Sequence, residues 1–243
     1  MIEHADRFLD AHRKDETFEE AIARANAWLA SVLESPAARA SMSAWVGTFD
    51  GASLSPPVAI KVIGPGATDG EIEALEAWLR ARLPRSYRRF LSTLGQVSFL
   101  HRPHHPTYGI GAIKTVTVEY REMIDEWFEG YDSVRFAEDW KKAQPVSGTY
   151  RSWRDWPNGN GVFHPHEVKD MNFLTICPGF DMDAHFLALH LADASGEAPV
   201  FQNYPDDGAA FFVRGATFDA WMSSMVDDLI GAATSRAAQA AGG

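Results

Sequence analysis

The sequence predicts an α+β fold, on three observations. Amphipathic helical patterns dominate the first half, β-like runs gather in the second, and one more helix closes the chain. That order differs from the regular alternation of strand and helix that builds a doubly wound parallel sheet. With 243 residues, 46% of them hydrophobic and 23% charged, the chain is long enough to bury a sizeable core without disulfide or metal staples.

The elements follow in order. Phe18, Ile22, Ala25, Leu29 and Val32 recur at helical spacing, Trp28 and Leu33 widen the stripe, and Pro36 stops it. The Gly/Ser/Pro-rich passage from Gly47 to Pro57 reads as a loop and a soft boundary. Val58 to Ile63 is short and β-branched, a strand closed by Gly64-Pro65-Gly66. Thr68-Asp69-Gly70-Glu71 has capping-box spacing, and Ile72, Leu75 and Leu79 continue it as one apolar stripe with Trp78 beside Leu75. Leu83-Pro84 breaks that helix, and Pro84 suits the start of a second, carrying Tyr87, Phe90, Leu91 and Leu94. Tyr120, Met123, Ile124, Trp127, Phe128 and Tyr131 predict another amphipathic helix. Phe173 to Cys177 reads as a buried strand. His185–Leu191 and Ala198–Tyr204 form a hairpin around Asp193–Glu197, and Phe211–Val213 makes a further strand. Thr217 caps a last helix bearing Phe218, Trp221, Met222, Met225 and Leu229. The resulting division is an N-terminal helical extension and linker (1–57), an α+β domain (58–230) and a flexible tail (231–243).

Motifs for chemistry are sparse. No phosphate loop of the G-x-x-x-x-G-K-[ST] kind and no G-x-S-x-G elbow occurs, and Gly109-Ile110-Gly111 lacks the third glycine of a dinucleotide fingerprint. His101, His104 and His105 cluster, as do His164 and His166. With Asp181, Asp183 or His185 they offer ligands for a divalent ion, but they sit beside prolines in loops, where solvated histidines are ordinary. A single cysteine, Cys177, lies in an apolar run without a cationic neighbour, which predicts an inert buried thiol. Neither a cofactor nor a metal is expected. The first residues lack a basic and then apolar leader, and no window of eighteen apolar residues occurs, so the expected location is cytoplasmic and away from membranes.

The formal charge is −11, which argues against nucleic acid as a partner because phosphate neutralisation needs a basic footprint. Residues 162–230 hold eleven acids and two bases, a net of −9, so the acidity belongs to the last third. A surface of that kind steers a basic partner toward it. Asp181 and Asp183 alternate on a strand edge, Asp206 and Asp207 sit in a turn, and Trp153 and Trp156 lie in an aperiodic stretch with Arg151 and Arg154. Aromatic and arginine residues of that kind either cover the core or anchor a partner.

The helix–Leu-Pro–helix segment, Thr68 to Glu76 and Leu83 to Leu91, is similar to the opening of the SUKH superfamily, which unites a fungal regulator of cell-wall synthesis with bacterial toxin-immunity proteins. His185-Phe186-Leu187-Ala188-Leu189 with Pro199-Val200-Phe201 resembles the family's late hairpin, and Thr217 to Met222 its closing helix. Gln96 follows Leu94-Gly95 where the family commonly has an Asn-Gly pair, and Asp183-Ala184 replaces its usual Gly-Asp. The resemblance implies a SUKH-like mixed sheet, mainly antiparallel, packed against helices. It further implies a non-catalytic protein that neutralises a toxin or binds another protein; the acidic last third makes a basic partner the expectation, with Asp181, Asp183, Asp206, Asp207, Trp153 and Trp156 as the expected contacts. A metal-dependent enzyme using the loop histidines, or a regulatory scaffold, are the competing expectations.

Overall fold

The computed structural model describes residues 16–34, 58–102, 105–130, 162–163, 172–178, 184–189, 192–204 and 210–241. Among them the chain forms α1 (Phe18–Leu33), β1 (Ile60–Val62), α2 (Asp69–Leu79), α3 (Arg85–Thr93), β2 (Val97–Phe99) and α4 (Ile110–Gly130). There follow β3 (Val162–Phe163), β4 (Phe173–Pro178), β5 (Ala184–Ala188), β6 (Val200–Tyr204), β7 (Ala210–Gly215) and α5 (Phe218–Ala241). The α+β class predicted from the sequence is the class observed.

Local chemistry starts the helices. Thr68 and Glu71 close the predicted capping box, with the Glu71 N–H donating to Thr68 Oγ1 at 3.3 Å and the Thr68 N–H to Glu71 Oε2 at 2.8 Å. Thr17 and Glu20 repeat the device at α1. Helix α3 is different: Pro84 offers its first turn no side-chain acceptor, and the orphan N–H of Ser86 donates instead to Glu197 Oε1 at 3.0 Å, from the connection between β5 and β6. A carboxylate there also complements the helix dipole.

Five strands form an antiparallel sheet in the order β3-β7-β6-β5-β4, and β1 pairs with β2 in a separate ribbon. Among the described residues β4 from Phe173 to Cys177 and all of β5 are buried, so both faces of the sheet are covered at these two strands. Alternation divides the side chains. On one face Phe186 packs edge-on against Phe173 and against Tyr120 of α4, while the Thr175 N–H donates to Thr117 Oγ1. On the other, Leu174, Ile176 and Leu187 join the main core with Tyr87, Phe90, Phe99, Phe218 and Trp221. At Gly95 the chain turns with φ +67, and a Cβ would stand 2.2 Å from the Pro65 carbonyl oxygen, so only glycine fits between α3 and β2.

Two helix boundaries and one short strand stand out against the sequence reading. Helix α4 begins at Ile110, ten residues before the predicted Tyr120. The run Ile110 to Val118 is β-branched and reads as strand-like, but packing on β4 overrides that propensity. Helix α5 runs on past Ile230 to Ala241, through residues placed in the tail, because alanine is the best helix former and Ala233 is buried. The three-residue β2 is too short to leave a readable pattern.

Candidate functional site

Sheet topology places the acidic connections. Pro178 pairs with Ala184 and Tyr204 with Ala210, so residues 179–183 join β4 to β5 and residues 205–209 join β6 to β7. The pair His185–Gln202 sets these two hairpin ends side by side, and Phe163 of β3, paired with Phe211, reaches the same end. Asp181, Asp183, Asp206 and Asp207 belong to those two connections and, like Trp153 and Trp156, lie outside the described residues.

The other acids of the segment from 162 to 230 divide clearly. Every one that is described is engaged within the molecule. Asp193 Oδ1 accepts from the Ser195 N–H at 2.8 Å, and Glu197 holds Ser86. Asp219 accepts from the Phe18 N–H at 3.0 Å and pairs with Arg89, Asp227 pairs with Arg24 at 2.8 Å, and Asp228 pairs with Arg214 at 2.5 Å. Burial raises the Asp219 carboxyl above its ordinary value, with Glu197 and Glu19 adding to the rise against the Phe18 N–H and Arg89. The net of −9 therefore overstates the charge offered to a partner. Arg24 and Arg89, from outside the segment, answer part of it, and the six acids not accounted for (Glu167, Asp170, Asp181, Asp183, Asp206 and Asp207) all lie outside the described residues.

Below that end of the sheet sits a buried polar centre. The Trp221 indole N–H donates to His185 Nδ1 at 3.2 Å, which leaves the ring proton on Nε2, facing Arg102 Nη1 at 3.4 Å. Two donors face each other there, so the contact is close packing of a guanidinium on a neutral ring. Burial, then Arg102 and Arg214, push His185 well below its ordinary value. His101, edge-on to Phe99 at 5.9 Å, is lowered to about 4 by burial and by Arg102. A divalent ion at His185 would meet the Arg102 charge, which weighs against this histidine as a ligand. Among the described residues no group of three or more His, Cys, Asp or Glu side chains is arranged to hold a metal. His104, His164 and His166 lie outside them. Cys177 is buried, as the sequence predicts, and burial pushes its thiol up to about 12, far from the thiolate a nucleophile requires. Among the described residues no helix is long and apolar enough to cross a membrane.

Two features escaped the sequence reading. Glu76, in the middle of α2, is a buried carboxylate that accepts from the Leu83 N–H at 3.0 Å and pairs with Arg82 and Arg88. The corner between α2 and α3 carries five arginines between Arg80 and Arg89 and no acid, a charge run visible in the sequence against the acidic background.

Comparison with curated proteins finds no match, and comparison with solved structures finds none either. The model of the SMI1/KNR4 family (SUKH-1) matches residues 66–224, from the start of α2 into α5 and well over half of the chain. The chain belongs to the SMI1/KNR4 (SUKH-1) family.

Proposed function

We propose that the chain is a non-catalytic, immunity-type binding protein that neutralises a bacterial toxin by protein–protein contact. The observation that carries this reading is the convergence of the β4–β5 and β6–β7 connections, with their four aspartates, on one end of a rigid sheet in a SUKH-1 protein. The paired strand ends fix the points at which both connections leave the sheet. The aspartates present opposite charge to a basic partner, such as the phosphate-binding face of a nuclease, and accelerate encounter at low salt. Trp153 and Trp156 serve as aromatic anchors. This function places the protein in the cytoplasm.

The test is co-expression with the product of the neighbouring toxin-like gene. The expected result is a complex and protection of the cell, both weakened when Asp181, Asp183, Asp206 and Asp207 are changed to Asn. Absence of complex and of protection overturns the reading. The family equally supports a regulatory scaffold, and recovery of a cellular protein in place of a toxin in the same pull-down would favour it.

A further inference from the structure

We draw no further inference here: the strongest candidate, the surface patch at edge strand β1 where Val58, Val62 and Ile63 stand exposed around Lys61, is an apolar strand edge, and nothing in the structure shows what covers it.

Discussion

Glu76 shows how one buried charge organises a corner. Its side chain is 6% exposed, and its oxygens accept from the Leu83 N–H and pair with Arg82 and Arg88. Burial alone would raise its carboxyl, but the Leu83 N–H, Arg82 and Arg88 hold it below the ordinary value. The carboxylate fastens the end of α2 to the Leu83-Pro84 step that starts α3. Glu76→Gln keeps the shape but halves the accepting capacity and removes the charge, leaving the Leu83 N–H and Arg88 poorly matched. The expected loss is about 1–3 kcal/mol in urea unfolding, the usual range for an orphaned buried polar group. A loss below about 0.5 kcal/mol would place Glu76 among ordinary surface charges. Nothing local in the sequence marks this role, since Glu76 sits in an amphipathic helix among Glu71 and Glu73, which are exposed.

At the scale of elements, what was readable in the sequence was local. The Thr68–Glu71 capping box, the Leu-Pro corner and the hairpin from β5 to β6 are carried by neighbouring residues, so pattern and spacing sufficed. What depends on distant partners was not readable. The start of α3 is capped by Glu197, 111 residues away, and the first turns of α4 are helical against their own propensity. The candidate contact residues stood in connections with no periodicity at all. Helix α1 makes the same point about the N-terminal extension. It lies outside the family-matched stretch, yet Phe18, Ala21, Ala25 and Leu29 are buried in the common core. Phe18 meets Phe90 at 5.6 Å and Phe218 at 6.3 Å, both edge-on, and Arg89 covers its ring at 4.9 Å. Phe18→Ala should therefore cost about 3–5 kcal/mol, the range for a fully buried phenylalanine. That is a large part of the stability of a typical domain. An unfolding free energy within about 1 kcal/mol of the parent would make α1 a decoration instead of a wall of the core.

The molecule as a whole combines these buried groups into one response to pH, and its sign follows from where each proton goes. His101 is lowered from 6.5 to about 4 and His185 well below 6.5, so as pH falls below 6.5 the unfolded chain binds protons that the folded chain refuses. Stability present above pH 6.5 is lost through that window, about 3 kcal/mol from His101 alone at roughly 1.4 kcal/mol per pH unit, with His185 adding in the same direction. Glu76, held below 4.5, extends the loss to lower pH, since its contribution is present above 4.5 and disappears as it protonates. Asp219 has the opposite sign: its raised carboxyl is easier to protonate when folded, so acid relieves part of the cost of burying it and partly offsets the fall. On the alkaline side Cys177 rises from 9.0 to about 12, so the unfolded thiol ionises first and stability declines as pH climbs from 9.0. Urea unfolding followed by tryptophan fluorescence should thus trace a dome with its top between about pH 7 and about pH 9. His101→Gln should shallow the acid limb, and Cys177→Ala the alkaline one. Stability that stays level from about pH 7 down to about pH 4 would contradict the neutral, buried histidine centre beneath the acidic end of the sheet.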